Sequence, residues 1–208
     1  YRAYDPNFKR EVALKVVFSE QLDSEALHRR FYREAQTIAA LEHRAIVPVY
    51  DFGEQDGRLF LVMRLMSGGS LADRLKKGAL PPKEIQHILD RIGDALDKAH
   101  DRDIVHRDLK PGNVLFDDDN QPYLSDFGIV KQGSSTRLKA NGGMIGTPAY
   151  MSPEQVLGTA EIDGRSDIYA LGAVLGGAFS PLIAQALQQQ TGSWHAIMVY
   201  LLIMTAVG

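Results

Sequence analysis

Cysteine is absent from this chain of 208 residues. That excludes disulfides and thiol catalysis, and it is compatible with a cytosolic setting. The six histidines are scattered, without a spacing that gathers a metal. A formal net charge of −3 gives no support for nucleic-acid binding. No signal-peptide pattern is visible and no internal repeat stands out. The most telling absence is local. The 23 Lys and Arg and the 26 Asp and Glu all lie in residues 1–167, and residues 168–208 carry none. The length suits one domain of ordinary size.

Two clusters carry chemistry. One is His106-Arg107-Asp108-Leu109-Lys110-Pro111-Gly112-Asn113, and the other is Asp126-Phe127-Gly128. Alone, the first reads as a charged loop and the second as a turn. In this order and spacing they match H-R-D-x-x-x-x-N followed by D-F-G, and the chain resembles a protein kinase. Asp108 is the carboxylate that takes or orients the proton of an attacking hydroxyl. Asn113 and Asp126 offer the hard oxygen ligands that Mg²⁺ prefers. The interval between them leaves room for a short hairpin, with Asp117-Asp118-Asp119-Asn120 as its turn.

The rest of residues 1–167 extends the resemblance. Val12-Ala13-Leu14-Lys15 resembles the kinase strand whose lysine holds the α- and β-phosphates. Val12, Leu14, Val16 and Phe18 alternate as a strand does. Lys15 alone would read as a solvated surface charge. A helix from about Ser24 to Leu41 supplies an acidic partner. Ser24 suits its N-cap, and Phe31, Ala35, Ile38 and Leu41 form its apolar stripe. Glu34 stands where the family places the glutamate that pairs with that lysine. Val47, Val49, Leu59, Leu61 and Met63 mark two further strands, divided by a turn over Gly53–Arg58. The resemblance puts Met63 at the gatekeeper and Arg64-Leu65-Met66 along the adenine edge. Many relatives have an acidic residue where this chain has Arg64. Ser67-Gly68-Gly69-Ser70-Leu71 opens a short helix after a glycine hinge.

A helix from Pro82 to about Asp101 carries Ile85, Ile88, Leu89, Ile92, Leu96 and Ala99 at helical spacing, so that stripe is core. It delivers the loop that holds Asp108. His106 and Phe127 resemble residues that pack the active site. Lys110 matches the lysine that Ser/Thr kinases aim at the γ-phosphate. Gly146 to Glu154 resembles the substrate-facing segment of Ser/Thr kinases, with Thr147 near Asp108 and Ser152 in place of an alanine. Ser166-Asp167 opens a helix whose Asp anchors the catalytic loop. Arg107 implies a basic pocket for a phosphate on the segment from Asp126 to Glu154. Ser134, Ser135 and Thr136 are the candidate phosphosites. The whole resembles bacterial eukaryotic-like Ser/Thr kinases.

Two departures matter. The family's Gly-rich phosphate loop does not precede the lysine strand, since Tyr1-Arg2-Ala3-Tyr4-Asp5 already resembles the strand after that loop. This implies weak nucleotide binding and poor turnover. The far end is chargeless where the family continues into charged amphipathic helices. Ile168–Leu187 is a run of twenty mostly apolar residues, about enough to span ~30 Å of hydrocarbon. Gln188–Ser193 is a polar break, and Trp194–Val207 is apolar again. Residues 176–184 resemble the last helices of a major-facilitator metabolite:proton symporter. Three readings of this stretch stand side by side: a buried kinase helix, which suits Ile168–Leu175; a membrane anchor; and a junction of unrelated coding sequences near Leu171–Gly177.

The expectation is an α+β, two-lobed protein-kinase-like fold, incomplete at both ends, with an apolar helical C-terminal tail. Residues 1–66 form a partial small lobe, 67–172 a partial large lobe, and 173–208 the tail. The resemblance implies transfer of the ATP γ-phosphoryl group to Ser or Thr of protein substrates with Mg²⁺. Asp108 is the base and Lys110 the γ-phosphate contact. Asn113 and Asp126 are the metal ligands, and Lys15 with Glu34 forms the phosphate clamp. Met63, Arg64 and Met66 bind the nucleotide beside Lys15, Asn113 and Asp126. A cytoplasmic kinase part is implied, with membrane contact through 173–208 as one reading of the tail. The alternative is an inactive kinase-like fragment or binding module fused to a transporter remnant.

Overall fold

The computed structural model describes residues 1–17, 25–128, 148–158 and 162–176. Four antiparallel strands form one sheet: β1 (Arg2–Asp5), β2 (Arg10–Val16), β3 (Val49–Gln55) and β4 (Arg58–Arg64), in the order β1-β2-β4-β3. The expected wide turn over Gly53–Arg58 is narrower. Asp56 and Gly57 take positive φ of 51° and 70°. That two-residue turn matches the right-handed twist of the flanking strands, so pairing runs out to Gln55 and Arg58.

Helix α1 (Glu25–Ala39) lies against β3 and β4. It buries Phe31, Ala35 and Ile38, and Leu41 follows just beyond it. This is the stripe read from the sequence. The expected N-cap Ser24 and the strand position Phe18 lie outside the described residues.

Helix α2 (Leu71–Leu75) starts at Ser70, whose hydroxyl accepts the Asp73 N–H while the Asp73 carboxylate accepts the Ser70 N–H. Helix α3 (Pro82–His100) buries Ile85, Ile88, Ile92, Ala95, Leu96 and Ala99. Each large aliphatic among them contributes about 1.5–3 kcal/mol of burial. Leu89 is only half-buried. The chain then runs through a loop and a 3-10 turn, Pro111–Asn113, into β5 (Val114–Phe116) and β6 (Pro122–Leu124). The turn between them closes at Asp117–Gln121, where the sequence placed it.

This hairpin is gripped on both edges. Leu124 exchanges backbone hydrogen bonds with Ala45 and Val47 at 2.7 and 2.9 Å. Phe116 does so with Gly68 and Gly69 at 2.8 and 2.9 Å. The approach at Gly68 leaves no room for a side chain, because a Cβ there would stand 2.5 Å from the Asp117 carbonyl oxygen. The pair expected to act as a hinge is also a seam. One continuous core runs from Val17 and Phe31 through α3 to Val174.

Helix α4 (Pro153–Leu157) follows, then α5, residues 164–176. The sequence suggested a buried helix over Ile168–Leu175. The helix starts earlier and is two-faced: Ala170, Leu171 and Val174 are buried, while Ile168 and Tyr169 are exposed. An apolar run does not state which residues face the core. Among the described residues no helix is long and apolar enough to cross a membrane. Residues 177–208, with most of the expected helical tail, lie outside them.

Candidate active site

The loop before Asp108 is held from below by α5. Asp167 is buried, and its carboxylate accepts N–H bonds from His106 at 2.7 Å and Arg107 at 2.8 Å. Its Oδ2 also lies 2.9 Å from His100 Nε2. The sequence named Asp167 as the anchor but gave His100 no part beyond α3. Arg107 has a φ of 64°, a region that L side chains avoid. The His106 ring is buried and packs 4.7 Å from the Phe127 ring. Its Nε2–H donates to the Ser125 carbonyl at 2.8 Å, and its Nδ1 accepts the Asp108 N–H at 3.2 Å. Burial pushes its pKa down, against the pull of Asp167 and its neighbours. This is a neutral imidazole used as a spacer.

Around Asp108 the expected residues converge. Lys110 Nζ donates to Asp108 Oδ2 at 3.1 Å. The Asn113 amide donates to the same oxygen at 3.1 Å and to the Asp108 carbonyl at 2.7 Å. That leaves the oxygen end of Asn113 for a cation. Ser125, which the sequence did not single out, closes the hairpin. Its N–H and hydroxyl both donate to the Asn113 carbonyl at 2.9 Å. Asp126 follows at a φ of 60°, with its side chain about a third exposed. One amide oxygen and one carboxylate fit Mg²⁺, which usually takes few protein ligands and completes its shell with phosphate and water.

The clamp differs from expectation. Lys15 Nζ meets Asp126 Oδ1 at 2.6 Å, and Glu34 pairs instead with Arg30 Nε, one helical turn back, at 3.0 Å. Among the described residues, the second Glu34 oxygen, Arg30 Nη2 and Arg107 Nε are buried without hydrogen-bond partners. Glu34 and Arg107 line a cavity of about 180 Å³ between α1 and the loop that precedes Asp108. Its burial lowers the Arg107 pKa, and Glu34 opposes that shift. Arg30 stands four residues before Glu34, on the same helix face, whereas Arg29 and Arg33 do not, so the helical spacing itself makes Arg30 a competitor of Lys15.

Met63 is buried in β4, between Ala13 and Val49 of its neighbours, and Met66 is half-buried beyond it. Arg64 ends β4 and is half-buried. Its guanidinium reaches the β5–β6 hairpin, donating to Tyr123 Oη at 3.1 Å and Asp117 Oδ2 at 3.4 Å.

Below the loop, Gln155 Nε2 donates to the Arg107 carbonyl at 2.9 Å. The Ser166 hydroxyl donates to Glu154 and accepts from Ser152 at 3.0 Å. Thr147, Ser134, Ser135 and Thr136 lie outside the described residues.

A sequence model of the protein kinase domain matches residues 1–201. The chain belongs to the protein kinase family. The serine/threonine-protein kinase PknL of Mycobacterium tuberculosis is 40% identical over 176 residues, covering 84% of this chain and 44% of PknL. The DNA damage-responsive serine/threonine-protein kinase RqkA of Deinococcus radiodurans is 45% identical over 181 residues, covering 84% of this chain and 26% of RqkA. The chain thus spans less than half of these relatives. The crystal structure of the Mycobacterium tuberculosis PknI kinase domain aligns with a TM-score of 0.68 at 34% identity, over 86% of this chain and 68% of that one. The α+β architecture is therefore kinase-like.

Proposed function

We propose that this kinase chain transfers the γ-phosphoryl group of ATP to Ser or Thr of protein substrates. The observation that carries this is the meeting of Lys110 and Asn113 on one oxygen of Asp108, with Lys15 and Asp126 joined beside it. Asp108 receives the proton of the substrate hydroxyl. The hydroxyl oxygen bonds to the γ-phosphorus as the bond to the β,γ-bridging oxygen breaks, and ADP leaves. Lys110 balances charge on the transferred group. Asn113 and Asp126 are the residues that would hold Mg²⁺, which neutralises phosphate charge. In this reading Lys15 leaves Asp126 for the α- and β-phosphates and takes Glu34 as its partner. Residues 1–66 act as the small lobe and 67–172 as the large lobe, with the backbone of Met63 to Met66 meeting adenine.

Arg107 supports a regulatory part of the same reading. It lines a cavity beside α1, and one buried nitrogen has no hydrogen-bond partner among the described residues. A phosphate on Ser134, Ser135 or Thr136 is proposed to reach it. Phosphosite mapping that finds active protein unmodified there would remove this part.

The test of the main proposal is transfer from radiolabelled ATP to a Ser/Thr peptide library, with phosphoamino-acid analysis. The native chain should label Ser or Thr only with Mg²⁺ present. Asp108→Asn should lower the rate by about a thousandfold while leaving the fold intact. Equal labelling by both proteins would sink the assignment.

A further inference from the structure

The structure assigns to Arg64 a positioning role: its side chain ties the end of β4 to the hairpin that carries both proposed metal ligands. Three contacts make the tie. The guanidinium donates to Tyr123 Oη at 3.1 Å and to Asp117 Oδ2 at 3.4 Å, and it stands 3.7 Å from Asp118 Oδ1. Its carbon centre also lies 5.3 Å from the centroid of the Tyr123 ring. The Arg64 backbone is fixed as well, since its N–H donates to the Pro48 carbonyl at 3.0 Å.

Asp117 explains why the tie is firm. Its side chain is only 5% exposed. A carboxylate buried that far needs a charge partner or several donors. One oxygen, Oδ1, accepts the Asp119 and Gln121 N–H groups at 3.1 and 2.8 Å and closes the turn. The other faces Arg64. A single side chain thus joins the shape of the turn to the end of β4.

The hairpin transmits this. Strands β5 and β6 have three residues each, roughly 10 Å of extended chain. Asn113 immediately precedes β5, and Asp126 lies two residues beyond β6. The Ser125 to Asn113 hydrogen bonds clasp that far end. Arg64 therefore fixes the turn end of a stiff lever whose open end presents both metal ligands. On the reading proposed above, the backbone at Met63–Met66 meets adenine. Arg64 then sets the distance between the adenine edge and the metal, and makes the two binding events favour one another.

This rests on the proposed nucleotide site, and the test separates the two. Dissociation constants of a fluorescent ATP analogue are measured for the 208-residue chain with Mg²⁺ and with EDTA, alongside thermal unfolding. The native chain should bind more tightly with Mg²⁺. That tightening should shrink about tenfold in Arg64→Ala, the effect of losing one charge-assisted hydrogen bond. It should shrink about threefold in Tyr123→Phe, which loses a neutral acceptor, and Arg64→Lys should fall between native and Ala. Affinity in EDTA should stay within about twofold throughout, because only the Arg64 backbone meets adenine in this account and the substitutions change only its side chain, which reaches Tyr123 and Asp117. An unchanged tightening in Arg64→Ala overturns the role of Arg64 alone. So does an equal loss with and without Mg²⁺. A native chain that binds no nucleotide in either buffer overturns the nucleotide site, and this inference with it.

Discussion

The Asp167 carboxylate accepts the Arg107 N–H at 2.8 Å while Arg107 holds a φ of 64°. A left-handed arginine costs on the order of 1–3 kcal/mol, so something outside the loop must select it. Asp167 does so with two backbone hydrogen bonds from a position on a different helix. The pairing turns the Asp108 backbone toward the His106 ring. Asp167→Ala leaves the buried His106 N–H, the half-buried Arg107 N–H and His100 without their acceptor. The expected loss is about 3 kcal/mol, read from the urea midpoint at constant slope. Asp167→Asn retains one acceptor and should cost less. If both variants unfold at the native midpoint, the loop is held by something else.

Lys15 and Asp126 lead to a different expectation. Their side chains are 45% and 36% exposed, so the pair is screened by water and adds little stability. Lys15→Met should shift the thermal midpoint by no more than a degree or two, yet remove most phosphoryl transfer at saturating peptide. A large loss of stability with normal activity would mean that Lys15 is structural.

The cluster around Asp108 was legible because most of its residues lie at short range in the chain. His106 to Asn113 and Asp126 could be read without knowing the fold, and so could the stripes of α1 and α3, which repeat with the helical period. The partners across the molecule were not legible. Lys15 and Asp126 are 111 residues apart, and which acid the lysine meets depends on where α1 rests against the sheet. Glu34 had a competitor one turn away in Arg30. Arg64 stood in the expected stretch, but the direction of its side chain was set by Asp117 and Tyr123, which lie more than fifty residues on. The exposed Ile168 and Tyr169 show the same limit, because an apolar run states composition and not facing.

Gly68 and Gly69 are adjacent and should fail for opposite reasons. A Cβ on Gly68 would meet the Asp117 carbonyl oxygen at 2.5 Å and Phe116 Cβ at 2.8 Å, and backbone cannot step aside. Gly69 has room, with its first neighbour at 3.8 Å, but its φ is 75°. Gly68→Ala should break the hydrogen bond to the Phe116 carbonyl and cost about 2–3 kcal/mol, displacing the hairpin. Gly69→Ala should cost about 1 kcal/mol through backbone strain alone. Hydrogen exchange separates them: Gly68→Ala should expose the hairpin amides at 114–124, and Gly69→Ala should not. Equal protection in both variants would refute the crowding argument.

His106 makes stability depend on pH. Burial holds its folded pKa below the ordinary 6.5, while Asp167, Asp108 and Asp126 pull the other way without prevailing. The unfolded chain therefore takes up a proton near pH 6.5 that the folded chain refuses. Stability from this group is complete above about 6.5 and declines as pH falls below it, until the folded pKa is reached. The slope is at most about 1.4 kcal/mol per pH unit for one proton. His43, whose pKa is lowered by burial and by Arg44, adds an effect of the same sign. His106→Phe removes the titration but orphans the Ser125 carbonyl and the Asp108 N–H, so it should be less stable at pH 7.5. Its unfolding free energy should nevertheless vary less between pH 6.5 and 5 than that of the native chain. Denaturant unfolding at several pH values in that window gives both slopes. Parallel slopes would show that the imidazole is charged in the folded protein, contrary to its place as a neutral spacer beneath Asp108.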